Sequence, residues 1–361
     1  MRRVVMRFGL GPFELGSFAG RPHAELYEEA LEQCDLAEEM GFDSVWFAER
    51  HFTAEGACPS AETLAAAAAV RTRSVRIGVL PKPILTNPLY VAEDVAVLDS
   101  ISGGRAQVAV AAECASSELA GYGVPPEDAE GRLLDSIEIL RRSWAPTPFA
   151  HDGKHWRLPG KDLRGNPFAE GIGEINVMPK PAQLEVPLWL LARDDADVAI
   201  AARLGLPWLG SALDTLDDLK RKRDLYERAL GASKPSSAAI FPVIRDVYLA
   251  ESMQEARSDV EEGILALYRG YEQQGLTSGL PSAFADLAKN RFLIGDPDHV
   301  IRDIERYRDE ALVSYLVCRI VAPGLPHSKA MAAIRFFGQA VVPEFRMVGF
   351  PSEVRRRTRS A

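Results

Sequence analysis

At 361 residues with 47% hydrophobic composition, the chain can bury a large core as one domain. Its 51 acidic against 42 basic residues leave a net charge of -9, which argues against a nucleic-acid backbone as partner. Cys34, Cys58, Cys114 and Cys318 are scattered without a CxxC pair or a nearby His, so neither a zinc site nor a disulfide framework is suggested, and a reducing cytoplasm fits. The opening Met-Arg-Arg-Val-Val-Met-Arg lacks the apolar centre of a signal peptide, and no apolar run approaches a membrane span.

Taken in order, strand-like and helix-like segments alternate. Val4 to Phe8 reads as a strand and the glycine-rich stretch from Gly9 to Gly20 as turns. His23 to Met40 has helical spacing and stops at Gly41. The apolar run ending at Ala48 is too short for a helix and reads as a buried parallel strand. Pro59 and Ser60 introduce a helix over Ala61 to Arg71, and Val75 to Leu80 is a strand halted by Pro81 and Pro83. Asn87 with Pro88 caps a helix over Leu89 to Ile101. Ala106 to Ala112 is the next strand, and Pro126 to Trp144 is helical.

The rhythm breaks between residues 147 and 187, rich in Gly, Pro and Lys, which predicts an inserted hairpin. Strands over Leu188 to Ala192, Pro207 to Ser211, Ala239 to Leu249 and Val313 to Val321 then alternate with helices over Asp195 to Leu204, Leu213 to Leu230, Met253 to Tyr271, Val300 to Glu310 and His327 to Ala340. Residues 272–289 lose periodicity and read as a mobile lid. About eight strand and helix pairs predict a (β/α)8 TIM barrel over residues 1–346, followed by a basic tail over 347–361. The Ala65 to Ala69 run either lines the outer ring or lets helices approach closely across a dimer interface.

In a parallel α/β barrel the ligand mouth lies at the C-terminal ends of the strands. Glu49, Arg50 and His51 follow the Val45 to Ala48 run directly and are the candidate catalytic groups. Phe13, Trp46, Phe52 and Tyr122 are apolar candidates to line that mouth, although aromatic residues in barrels more often belong to the core. His151 and His155 lie in the presumed hairpin without a carboxylate partner at a strand end, a poor basis for a metal hydrolase.

The stretch Gly-Phe-Asp-Ser-Val-Trp-Phe-Ala-Glu-Arg-His-Phe from Gly41 resembles the bacterial luciferase-like, flavin-dependent monooxygenases. So do Arg76-Ile77-Gly78, Asn87-Pro88 to Glu93, Leu98 to Arg105, Gly121 to Val124, Ile294 to Pro297 and Val341 to Arg346, in the family's order and over nearly the whole chain. The resemblance implies reduced FMN at the barrel mouth, supplied by a separate flavin reductase, with dioxygen and a small organic substrate. It also implies a cofactor contact at the end of the third strand, at Val79 and Leu80, with a cis peptide or bulge there and Leu80-Pro81 as the inexpensive place for it.

Three positions depart from the family's wording. Arg50 stands where the family often has the first of two His residues, so His51 matches the second; Arg50 can stabilise a developing anion but cannot shuttle protons near neutral pH. Ala112 and Glu113 stand in place of an Arg-Gly pair near the flavin. At the helix start after the fifth strand, where small hydroxyl residues are usual for phosphate, the chain carries Arg193, Asp194 and Asp195; an Asp there either caps the helix or competes with phosphate. A flavin-free subunit that stabilises a catalytic partner therefore stays open beside the monooxygenase, as does use of a deazaflavin, and the expected assembly is a homodimer or a heterodimer with a related subunit.

Overall fold

A computed structural model describes residues 5–13, 21–53, 56, 58–160, 172–231, 240–320 and 322–346. The expected basic tail lies outside them.

Eight parallel strands close into a barrel. In ring order they are β1 (Arg7–Phe13), β2 (Ser44–Ala48), β3 (Arg76–Leu80), β4 (Ala106–Val110), β7 (Leu188–Ala192), β8 (Trp208–Gly210), β9 (Pro242–Leu249) and β11 (Tyr315–Arg319), with β8 pairing to β9 and β11 back to β1. Helices α1 (His23–Glu39), α2 (Ala61–Arg71), α3 (Pro88–Ser102), α4 (Ser116–Gly121), α5 (Ala129–Trp144), α6 (Asp195–Leu204), α7 (Leu216–Leu230), α8 (Met253–Gln273), α9 (Phe284–Ala288), α10 (Pro297–Glu310), α11 (His327–Ala340) and α12 (Val342–Arg346) follow the strands. Outside the barrel, β5 (His151–Asp152) and β6 (Arg157–Leu158) pair antiparallel; the short β10 (Leu293–Gly295) pairs parallel with the C-terminal end of β9, at Val247 to Leu249.

Alternation along each strand divides the apolar residues into two cores. Trp46, Ala109, Trp189, Leu209, Ile244, Tyr315 and Val317 fill the barrel, with the Trp46 and Trp189 rings stacked 4.9 Å apart. The outward set, including Val45, Phe47, Ile77 and Val79, packs under the helices. The barrel strands were legible because this double burial leaves near-continuous apolar runs.

The first strand departs from expectation by running through Gly9 and Gly11 to Phe13. Both glycines face Trp46: a Cβ on Gly9 would stand 2.4 Å from Ser44 Oγ, and one on Gly11 would stand 2.4 Å from the Trp46 carbonyl oxygen. Gly78 of β3 makes the same concession, since its Cβ would lie 2.1 Å from the indole. Close packing explains Gly9 and Gly78, and at Gly11 a φ of +115° where the β1–β2 register shifts adds a backbone requirement for glycine. The chain turns at Gly103 and Gly205, whose φ values of +69° and +64° end α3 and α6.

Leu80-Pro81 is not cis; among the described residues the cis peptides are Gly11-Pro12, Leu158-Pro159 and Met178-Pro179. β3 runs in regular register with β2 as far as Leu80. The expectation of a cis bond at that strand end is therefore corrected.

Candidate active site at the barrel mouth

A cleft of about 750 Å³, open mouth included, lies at the C-terminal ends of the strands. Its floor is apolar and made of small or aliphatic groups such as Leu80, Ala109, Leu191, Ala212 and Ile244. Its charged rim carries Glu49 and Arg50 after β2, Lys82 after β3, Glu113 after β4 and Arg319 at the end of β11. This combination, an apolar bed with a few convergent polar groups, is the usual form of a small-molecule site.

Glu49 is held on both oxygens. Its Oε1 lies 2.5 Å from His51 Nε2, and its Oε2 accepts from the Lys82 backbone N-H at 2.7 Å. Glu49 and His51 are 9% and 7% exposed, so the pair is shielded while Glu49 still lines the cleft. On the other side of the imidazole, Tyr122 Oη lies 3.3 Å from Nδ1. Glu62, partly buried on the first turn of α2, is pushed up to about 7, first by burial and then by the negative charge of Glu49.

Beneath this pair sits a residue that sequence reading missed. Glu118 of α4 is fully buried; its Oε1 accepts from the His51 backbone N-H at 2.9 Å, its Oε2 accepts from the Ala115 N-H at 2.8 Å, and the same oxygen pairs with Lys82 Nζ. Burial alone would raise this carboxyl, but the Lys82 ammonium and the donors of Ala115 and His51 outweigh it and hold the group below its ordinary value. One side chain thereby ties together the loops after β2, β3 and β4. A sequence signal did exist: Glu118 lies at the third position of α4, where a carboxylate reaches back to the helix start.

The opposite rim is built from β9, β11 and α8. Arg319 donates from Nε and Nη2 to the two oxygens of Asp246, at 2.6 and 2.9 Å, and from Nη1 to Tyr271 Oη at 2.6 Å. Tyr268 Oη donates to Asp246 at 2.7 Å. The Arg50 and Arg319 guanidiniums each stand 5.7 Å from the centre of the Tyr271 ring.

Of the expected site residues, Glu49, Arg50 and Leu80 meet in the cleft, and His51 stands directly behind Glu49. Val79 points to the helix layer, and Ala112, Arg193 and Asp194 lie outside the lining. None of Phe13, Trp46, Phe52 and Tyr122 walls the cleft. Trp46 and Phe13 are core residues, while Phe52 and Tyr122 are 64% and 38% exposed beside His51. Among the described residues, Tyr271 is the aromatic one that does line it.

The start of α6 is occupied by the chain itself. Asp194 caps the helix by accepting from the Asp197 N-H at 3.0 Å, and Asp197 accepts from the Arg193 N-H at 2.9 Å. Asp195 faces outward and pairs with Arg221 at 2.6 Å. Arg193 is 3.7 Å from Asp194, both side chains about half exposed. Burial, and then the charge of Asp194 after the helping donors of Arg193, leave Asp197 above the ordinary carboxylate value. An anion docking here would meet the Asp194 carboxylate already on the Asp197 N-H and a second carboxylate, Asp197, on the Arg193 N-H just before the helix.

In the hairpin region, His151 lies 3.7 Å from Asp135 and 3.6 Å from Glu138, and His155 lies 4.0 Å from Asp128. Among the described residues no group of three or more His, Cys, Asp or Glu is arranged to hold a metal ion. Nor is any described helix long and apolar enough to cross a membrane.

Residues 6–314 match the luciferase-like monooxygenase family. The chain belongs to that family. The structure of the monooxygenase RslO1 from Streptomyces bottropensis superposes with a TM-score of 0.82 at 24% identity, covering 94% of this chain and 100% of the other. The oxygenating constituent of 3,6-diketocamphane monooxygenase from Pseudomonas putida, in complex with FMN, superposes with a TM-score of 0.75 at 18% identity, over 95% and 99% of the two chains. An F420-dependent glucose-6-phosphate dehydrogenase from Amycolatopsis mediterranei is 25% identical over 348 residues, 89% of this chain and 95% of the relative. Flavin-type cofactors thus accompany this family, with FMN in some relatives and F420 in others.

Proposed function

We propose that the protein is a flavin-dependent monooxygenase that uses reduced FMN, delivered by a separate reductase, and dioxygen to oxidise a small organic substrate. The observation that carries this reading is the apolar floor of the cleft closed on one side by the Glu49–His51 pair, a bed for a planar ring beside a protonatable carboxylate. A reduced flavin, when bound, supplies the electrons that activate dioxygen. Leu80 and the alanines of the floor would lie against the ring, and Arg50 would stabilise developing negative charge at its edge.

The apolar bed fits a flavin ring, whereas the self-capped start of α6 does not fit a phosphate. Arg193, half exposed beside Asp194, is the cation of the motif itself, and its proposed contribution to FMN binding is through charge. The segment 272–289 carries Leu276 onto the cleft, and its proposed role is to cover the bound reactants and keep water out. A cytoplasmic homodimer is part of the same reading; Val70, Tyr90, Val97 and Ile101 give α2 and α3 an exposed apolar face. Replacing Ala67 by a bulky residue then shifts the mass in light scattering to that of a monomer.

Anaerobic titration with reduced FMN tests the cofactor. Saturable binding is expected, weakened about tenfold or more by Arg193→Ala, with riboflavin binding unmoved. The F420-dependent relative, aligned over most of its length, favours a second reading in which a deazaflavin is the cofactor. Saturation by F420 but not by FMN selects it. Saturation by neither would leave the flavin-free partner subunit.

A further inference from the structure

We propose that Tyr122, His51 and Glu49 form a proton relay between solvent and the cleft, with Tyr122 as its outer donor and acceptor. The three groups stand in line: Tyr122 Oη is 3.3 Å from His51 Nδ1, and His51 Nε2 is 2.5 Å from Glu49 Oε1. The ends are placed differently. Tyr122 is 38% exposed, whereas Glu49 is buried and lines the cleft. The two interior members are fixed by backbone bonds, His51 through its N-H to Glu118 and Glu49 through the N-H of Lys82. The Tyr122 ring packs edge-on against the imidazole at 5.0 Å, and the Phe52 ring lies 5.6 Å from Tyr122 and 5.7 Å from the imidazole.

The bonds set the direction of each transfer. In the resting arrangement of the relay Glu49 accepts from His51 Nε2-H, which leaves Nδ1 as the acceptor for the Tyr122 hydroxyl. Burial, and then the charges of Glu49 and Glu118, raise Tyr122 and keep its proton in place at neutral pH. For inward delivery the Tyr122 O-H bond breaks as Nδ1-H forms, Nε2-H breaks as a carboxyl O-H forms on Glu49, and the carboxyl hands that proton to an atom in the cleft. A solvent water gives a proton to the Tyr122 oxygen and leaves as hydroxide. A proton leaving the cleft along the same three groups, with the Tyr122 hydroxyl releasing its own proton to water, restores the first tautomer. No oxidant or reductant enters these steps. The relay rests on the monooxygenase reading for what receives the proton, but not for the chain of bonds.

Two measurements on the full chain test it. In the cofactor-free protein with labelled histidine, long-range nitrogen–proton NMR is expected to find His51 as the Nε2-H tautomer, with an Nδ1 resonance that moves in Tyr122→Phe. An Nδ1-H tautomer, or an Nδ1 resonance indifferent to that substitution, overturns the relay. In turnover with reduced FMN, Tyr122→Phe is expected to bind flavin as the wild type does but to run about tenfold slower. Its rate should rise with the concentration of a small buffer acid, as the wild-type rate does not. Equal rates and equal insensitivity to buffer would also overturn it. If the wild type binds no flavin, the monooxygenase reading falls by itself, and the tautomer measurement still decides the relay.

Discussion

The rim after β2 and the start of α6 both gather carboxylates at the C-terminal ends of barrel strands, yet they spend them in opposite ways. At the rim, Glu49 and Glu118 have near partners in His51 and Ala115 but also accept from donors 33, 36 and 67 residues away, so that three loops are locked around the cleft. At α6, Asp194 and Asp197 accept from donors three and four residues away and serve only their own helix. Carboxylates satisfied at long range shape a shared site, whereas carboxylates satisfied locally close one off. The same residue type therefore marks a functional wall in one place and a blocked anion site in the other.

The comparison is broken most severely at Glu118. Glu118→Ala leaves Lys82 as an unpaired buried charge and unties the β2, β3 and β4 loops, with an expected loss of about 3–5 kcal/mol in urea unfolding. A loss no larger than that of an ordinary surface substitution would mean that the loops hold themselves. Glu49→Gln keeps the shape of the rim and removes its charge; turnover is expected to fall about 100-fold with flavin affinity retained. Unchanged turnover in stopped-flow measurements would remove Glu49 from the chemistry.

Asp194→Ala acts only on the local cap and is expected to cost about 1 kcal/mol, read from the thermal midpoint. Asp194→Ser with Asp195→Ser should keep the cap while lowering the negative charge, and so tighten FMN binding relative to wild type in the anaerobic titration. No change would confine the phosphate to another part of the mouth.

The smallest effects lie in pH dependence, and the two regions differ in sign. Glu118 has a folded value depressed below the unfolded one, so its stabilisation is present above the ordinary carboxylate range and is lost as pH falls through the folded value. Asp197 has a raised folded value, so its contribution is full below the ordinary range and is lost as pH rises through the folded value. Denaturation midpoints of Glu118→Gln and Asp197→Asn, followed from neutral into acid, should therefore approach and leave the wild-type curve in opposite directions. Parallel curves would cancel the distinction.

Residue order alone determined the barrel, because a strand buried on both faces must be apolar at successive positions and a surface helix must repeat its apolar face every three to four residues. It also placed Glu49, Arg50 and His51 at a strand end, where a parallel barrel opens. The partners of those groups were beyond its reach. Glu118 and Lys82 meet His51 and Glu49 only because neighbouring strands bring separate loops together, and Asp246 meets Arg319 across 73 residues of chain. The glycines of β1 read as turns because nothing local announces that Trp46 of β2 packs against them, with its indole at Gly9 and its carbonyl at Gly11. Periodicity and capping act between near neighbours and are written in sequence. Ion pairs and close approach between distant segments depend on three-dimensional distance, so the tertiary fold alone decided which carboxylates became the wall of a cleft and which became caps.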